Sequence, residues 1–275
     1  MSQVTGPAGG RVLVLGGQGA LGTALAGAFS AAGWTSVRAG RRPDSGADFR
    51  LVDLDRPGTL ARALDDIDLV VSTVPDERLT AERLVLERGG ALINVSALAA
   101  DAVARLRRLT LPGRPRGTVL MNAGIAPGLT NLLAADLLAD HPEADEVELV
   151  FTVPARSVAG PSGSQFAHRA LTREAAHQTT VVPLPEPFGR RRRLGFAEAD
   201  NGWLGAVAGG RAVSPYLCIS ERRVHSTAGT VLFARSLAGW AGGGGAGVLV
   251  PEQACTLGEL RSALAERDIV VVDEP

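Results

Sequence analysis

A chain of 275 residues has room for a large doubly wound α/β unit carrying an insertion, or for two domains. Its 45% apolar and 21% charged residues, with a formal net charge of −1, are those of an ordinary soluble globular protein and argue against a nucleic-acid binder, which would be more basic. All 28 strongly basic side chains are arginine, and the absence of lysine excludes Schiff-base chemistry, a Walker-A phosphate loop and the Tyr-x-x-x-Lys pair of short-chain dehydrogenases.

Residues 1–10 are polar and glycine-containing, without a signal-type apolar stretch, and are expected to form a short tail. No run of about 18 apolar residues follows, so no membrane span is expected and the location expected is cytoplasmic. Cys218 and Cys255 lie far apart with no metal-ligand spacing, which predicts free thiols and no metal site.

Up to about residue 122, nearly continuous apolar runs at 11–15, 35–39, 49–52, 69–73, 91–95 and 118–122 alternate with helix-compatible segments at 20–32, 59–64, 77–88 and 97–109. Continuous rather than alternating apolarity suits strands covered on both faces, and the alternation predicts a parallel sheet wound by crossover helices. Segment 111–117, with its prolines and glycines, reads as a loop. A helix at 132–139 leads to β-type runs at 147–153, 179–182 and 216–220, separated by proline- and arginine-rich sequence, a spacing that suggests a mixed α+β insertion. Within it, Arg190–Arg193 reads as a solvated edge strand, although alternation in a strand could turn two of the four cations to a cleft. A helix at 230–240 stops at the glycine run before residue 247, and a strand at 247–250, a helix at 257–266 and a strand at 269–272 resume the α/β pattern.

The first strand runs into Gly16-Gly17-Gln18-Gly19-Ala20-Leu21-Gly22, which opens an alanine-rich helix and fits G-x-G-x-x-G in its required context. Gly17 is expected to make the tight turn, Gly19 to let the backbone approach a pyrophosphate and Gly22 to let the helix pack closely. The unpaired amides at the helix start would face the phosphates. The expected fold is therefore α/β of Rossmann type, a doubly wound parallel sheet. Residues 1–130 and 247–275 should form it, and 131–246 should form an inserted α+β domain for substrate and for any homodimer contact.

Cofactor choice in this fold is read at the end of the second strand. An acid there bonds the ribose 2′-hydroxyl of NAD, whereas this chain places Arg41 and Arg42, whose planar guanidinium forks suit the 2′-phosphate of NADP(H). A solvated surface role is the alternative for both. Asp53, closing the third strand, is placed to contact adenine or to cap the turn at Arg56-Pro57-Gly58. Thr73, Val74 and Pro75 after the fourth strand, and Ser96 after the fifth, should line the nicotinamide half, with helix capping the other reading for Thr73 and Ser96. Gly124 and Gly128 free the backbone around Pro127, and Asn131 then begins a helix whose amino end could hold a carboxamide or carboxylate; a plain strand-to-helix turn is the alternative.

The stretch Met121-Asn122-Ala123-Gly124-Ile125-Ala126-Pro127-Gly128-Leu129-Thr130-Asn131-Leu132-Leu133 resembles the turn after the sixth strand in saccharopine-dehydrogenase-like reductases, where Gly-x-x-Pro-Gly-x-x-Asn is frequent. Ala39-Gly40-Arg41-Arg42, Gly247-Val248 with Pro251-Glu252, and Gly160-Pro161-Ser162-Gly163-Ser164 are similar to further patterns of that family. The resemblance implies an NAD(P)-binding Rossmann domain completed by the carboxyl terminus, with an inserted substrate domain. It implies reduction of an imine formed from an amine and a carbonyl compound, or the reverse oxidation, with enoyl reduction in some relatives.

Hydride transfer to an iminium ion needs geometry more than a strong acid, so a missing catalytic dyad is tolerable. If a proton donor is used, His168, His177 and His225 are candidates, all in the expected insertion. His168 and Thr172 stand at i and i+4, and Gln165 joins them on the same helical face, with Arg156 or Arg169 available for a substrate carboxylate. For each histidine a surface or structural role is the competing reading. The sequence thus predicts an NADPH-dependent reductase of a C=N or activated C=C bond in a small polar metabolite. A non-catalytic NADP(H)-binding sensor or interaction protein is the rival.

Overall fold

The computed structural model describes residues 9–46, 48–96, 98–99, 101–110, 115–125, 127–154, 179–184, 189–195, 212–220 and 246–265. Contacts divide the chain into two compact units, Met1–Leu129 with Ser226–Pro275, and Thr130–His225.

The first unit is a seven-stranded parallel sheet with helices packed on it. In chain order its elements are β1 (Arg11–Leu15), α1 (Ala20–Ala31), β2 (Thr35–Gly40), β3 (Phe49–Leu51), α2 (Pro57–Ala63), β4 (Leu69–Ser72), α3 (Thr80–Arg88), β5 (Ala91–Asn94), α4 (Ala102–Thr110) and β6 (Thr118–Leu120). The strand order, β3-β2-β1-β4-β5-β6 with a further strand beyond β6, is the doubly wound Rossmann order. Val12–Leu15 of β1 and all of β4 are buried, as strands covered on both faces must be. Against them α1 sets Leu25, Ala26 and Phe29, and the Phe29 ring meets Trp34 edge-on at 5.9 Å between centroids.

Helix starts differ from the sequence expectation where a local backbone feature intervenes. α2 begins at Pro57, whose fixed φ suits a first helical position. α3 begins at Thr80 instead of residue 77, because Asp76 accepts hydrogen bonds from the amides of Arg78 and Thr80 and Leu79 sits at φ +58° before the first turn. β6 stops at Leu120, two residues early, and Asn122 then takes φ +58°.

The second unit opens with α5 (Leu129–Asp140), which starts one residue earlier within the first unit, and holds β7 (Glu146–Pro154), β8 (Thr179–Leu184), β9 (Gly189–Gly195) and β10 (Ala212–Ser220). These strands form a mixed sheet in the order β7-β10-β9-β8, parallel only between β7 and β10. The arginine run is therefore not on an edge strand. β9 lies between β10 and β8: β10 pairs with Arg193–Gly195, and β8 pairs with Arg190 and Arg192, which are exposed. Pro183 sits on the edge strand β8, where a missing N–H is tolerated.

Back in the first unit, β11 (Gly247–Leu249) pairs parallel to β6 as the seventh strand and is followed by α6 (Pro251–Ala254) and α7 (Leu257–Ala265). Thr256 and Glu259 form a reciprocal capping box at the start of α7, whose Leu257, Leu260 and Leu264 are buried. Among the described residues no helix is long and apolar enough to cross a membrane.

Candidate functional site

Parallel packing brings the carboxyl ends of β1, β2, β4, β5 and β6 to one edge of the sheet, and the candidate residues of the first unit gather along it. The glycine loop leaves β1 there. Gly16, not Gly17, makes the left-handed turn, at φ +78°. Gly17 is required by proximity, since a Cβ on it would stand 2.7 Å from the Cβ of Arg38 on β2; its amide donates to the Ala39 carbonyl at 2.9 Å. At Gly22 a Cβ would overlap the Gly16 carbonyl, so α1 starts flush against the turn. Gly19 is exposed, and a Cβ on it would stand 3.3 Å from the Gly16 carbonyl oxygen, so glycine lets the loop close tightly here while its backbone stays approachable from outside.

The first bond of α1 is donated by Thr23 to the Gly19 carbonyl at 2.9 Å. The amides of Ala20, Leu21 and Gly22 precede that bond and belong to a helix start with no side-chain cap and no acidic residue in its first turn. Such an end attracts an anion through its N–H groups and its dipole.

Beside the loop, Gln18 Nε2 donates to the Arg42 carbonyl at 3.1 Å, fixing the turn after β2. Arg38 pairs with Asp44 at 3.2 Å and holds the far side of that turn. Arg41 and Arg42 are exposed, and among the described residues neither guanidinium has a partner. After β3, Asp53 Oδ1 accepts from the Asp55 amide at 3.1 Å, and Thr59 bonds the Asp53 main chain.

After β4, the Thr73 hydroxyl and amide both donate to the Leu15 carbonyl, locking this tail to the glycine loop. Val74 is half-buried against Gly16, and Pro75 is exposed. Asp76, under the bend, caps α3; burial alone would raise its carboxyl, but the bonds from Thr80 and Arg78 prevail and hold it below the usual range. After β5, Ser96 is buried, and its amide and hydroxyl both bond Asn94 Oδ1, at 2.8 and 2.6 Å. Asn94 Nδ2 donates in turn to Glu82 on α3 at 2.5 Å. Burial, reinforced by the Asp76 carboxylate, pushes the Glu82 carboxyl up to about 7.

The turn after β6 is closed by bonds from the Gly124 amide to the Pro127 carbonyl and from the Leu129 amide to the Gly124 carbonyl. Gly128 stands at φ +138°, with the Gly124 main chain filling its Cβ direction. In the second unit, Asn131 is fully buried near the start of α5. Arg156, Gln165, His168, His177 and His225 lie outside the described residues.

The sequence reading did not single out Glu82 or the side chain of Asn94. Glu82 had a visible signal, for it shares an i, i+3, i+4 stripe with Val85 and Leu86, where a carboxylate is out of place.

The chain matches no family model and no curated protein. Among solved structures it is similar to the WlbA dehydrogenase from Thermus thermophilus, solved with NAD and α-ketoglutarate, at 14% identity and a TM-score of 0.44, covering 97% of each chain. It is similar to the ADP-L-glycero-D-manno-heptose-6-epimerase of Helicobacter pylori at 11% identity and a TM-score of 0.35, over 97% of this chain and 93% of that one. A probable aspartate-semialdehyde dehydrogenase from Pseudomonas aeruginosa is similar at 15% identity and a TM-score of 0.38, over 77% of this chain and 70% of that one. At these identities, with TM-scores of 0.44 and below, the likeness carries no inference about the reaction.

Proposed function

We propose that the chain is an NADP(H)-dependent oxidoreductase that transfers hydride to a C=N bond of a small polar metabolite. The single observation that carries the cofactor is the pair of exposed guanidiniums, Arg41 and Arg42, without a partner among the described residues, where β2 ends beside an uncapped glycine-loop helix. The pyrophosphate belongs at the amides of Ala20, Leu21 and Gly22, and the adenosine 2′-phosphate at the two forks. Thr73, Val74, Pro75, Ser96, Gly124 and Pro127 would border the nicotinamide half. When bound, the cofactor supplies or accepts the hydride; these residues bind and orient it.

The reaction class rests on the resemblance of residues 121–133 to the saccharopine-dehydrogenase-like turn. Two experiments test the two halves separately. Arg41→Ala is expected to weaken NADPH binding by about tenfold or more while hardly changing NADH binding; equal weakening removes the 2′-phosphate role. For the reaction, NADPH oxidation is followed by absorbance with a panel of amines paired with aldehydes or keto acids, and with enoyl substrates. Turnover on an amine–carbonyl pair supports the imine reading, turnover on enoyl substrates alone replaces it, and turnover on none overturns the reductase assignment.

A further inference from the structure

The tails of β4, β5 and β6 are joined at the main chain, for the Val95 amide donates to the Ser72 carbonyl at 3.0 Å and the Ala123 amide to the Asn94 carbonyl at 2.9 Å. Asn94 is held in the middle, and its side-chain polarity follows from chemistry. The Ser96 amide can only donate, and it lies 2.8 Å from one terminal atom of Asn94, so that atom is Oδ1. The Ser96 hydroxyl is 2.6 Å from the same oxygen, which cannot donate, so the hydroxyl proton lies on that line. The amide NH2 of Asn94 is thereby turned to Glu82 Oε1 at 2.5 Å.

Glu82 is 1% exposed, and its second oxygen, Oε2, has no partner among the described residues. A buried carboxyl so poorly satisfied is costly, and an apolar residue would suit the stripe better. Its bond to Asn94 holds the Nδ2 end, reinforcing the orientation that the Ser96 amide sets and that keeps the serine proton pointed inward. What Ser96 Oγ offers any other group is lone pairs.

We propose that Glu82 and Asn94 are positioning residues that make Ser96 a hydrogen-bond acceptor at the carboxyl end of β5, and that it accepts from the carboxamide NH2 of a bound nicotinamide. This rests on the nucleotide reading above. With the adenosine end at β2 and the pyrophosphate at the β1 loop, a dinucleotide extends across β4 toward β5, on the opposite side of β1 from β2. The carboxamide is a donor at the far end of that half. Ser96 with an inward proton accepts from it and cannot donate to a ligand carbonyl.

The test compares binding of NADP+, its 3-acetylpyridine analogue, in which a methyl group replaces the carboxamide NH2, and adenosine 2′,5′-bisphosphate, which lacks the nicotinamide half. Wild-type protein is expected to prefer NADP+ over the analogue by about tenfold. Ser96→Ala erases that preference and leaves the bisphosphate unaffected. Glu82→Met reduces the preference, since Asn94 is then held only by its bonds to Ser96, and Glu82→Gln, whose carbonyl accepts from Asn94, restores it. Should Glu82→Met not fold, Asn94→Ala carries the positioning half by the same readout. A preference that survives Ser96→Ala, or is absent from the wild type, overturns the proposal while bisphosphate binding leaves the nucleotide reading standing. Failure of the wild type to bind either NADP+ or the bisphosphate defeats both.

Discussion

Gln18 Nε2 lies 3.1 Å from the Arg42 carbonyl oxygen, a bond that ties the exposed tip of the glycine loop to the turn after β2. Gly40 permits the approach, because a Cβ there would stand 2.6 Å from Gln18 Oε1. The glycine loop and the arginine turn are thus one structural unit, although the sequence presents them as separate motifs.

That unity is measurable in nucleotide affinity. An exposed hydrogen bond contributes about 1 kcal/mol to holding this turn, so Gln18→Ala is expected to lower the thermal midpoint slightly and to weaken NADPH binding by up to about fivefold. Gly40→Ala displaces the same side chain and should weaken binding similarly. The double variant should then bind no worse than the poorer single one in a fluorescence titration. Additive losses would mean that the two residues act separately.

Two glycines of α1 are expected to respond to alanine with opposite signs. At Gly22 the new methyl overlaps the Gly16 carbonyl, a backbone atom that cannot step aside, and overpacking of this kind destabilises by about 1–3 kcal/mol. Gly27 is exposed, helical and open on its Cβ side, so Gly27→Ala should stabilise by about 0.5–1 kcal/mol. Urea denaturation of both variants checks the signs. Stabilisation by Gly22→Ala would contradict the tight seating of the helix.

The contrast shows what the sequence makes legible. The parallel sheet could be read because strands such as Val12–Leu15 are buried on both faces and therefore continuously apolar, and the glycine loop because its spacing is local. The division of labour between Gly16 and Gly17 depends on where Arg38 of β2 lies, which no local spacing records. The same holds for the arginine run, whose place beside β10 is a long-range pairing. Helix starts were missed where a single residue adopts an unusual backbone, as at Leu79. The network of Glu82, Asn94 and Ser96 joins a helix to a strand end, and only the carboxylate on an apolar stripe hinted at it.

Asp76 acts on α3 in two ways that substitution can separate. Its oxygens accept from the amides of Arg78 and Thr80, and Asp76→Ala should cost about 1 kcal/mol of stability through the lost cap. Its charge also raises the Glu82 carboxyl, so Asp76→Asn, which retains an acceptor but no charge, should lower the Glu82 titration midpoint. Carbon NMR of the glutamate side chains reads this directly. An unchanged midpoint would leave burial as the sole cause of the raised value.

Glu82 also makes stability fall with rising pH. Its carboxyl titrates at about 7 in the folded chain against an ordinary 4.5 when unfolded. Below 4.5 both states hold the proton and the contribution is fully present. As pH rises toward 7, the unfolded chain ionises first and gains free energy that the buried carboxyl does not, so folding stability declines by about 3 kcal/mol and then levels off. Asp76 does not compensate in this window, because its lowered carboxyl contributes above its ordinary value of 3.8 and loses that contribution only as pH falls. Glu82→Gln removes the titration while keeping an acceptor for Asn94. The variant is expected to show a flatter stability profile between pH 5 and pH 8, and to exceed the wild type at the alkaline end, as judged by denaturation at each pH. Parallel profiles for the two proteins would mean that Glu82 is not the group whose burial sets the slope.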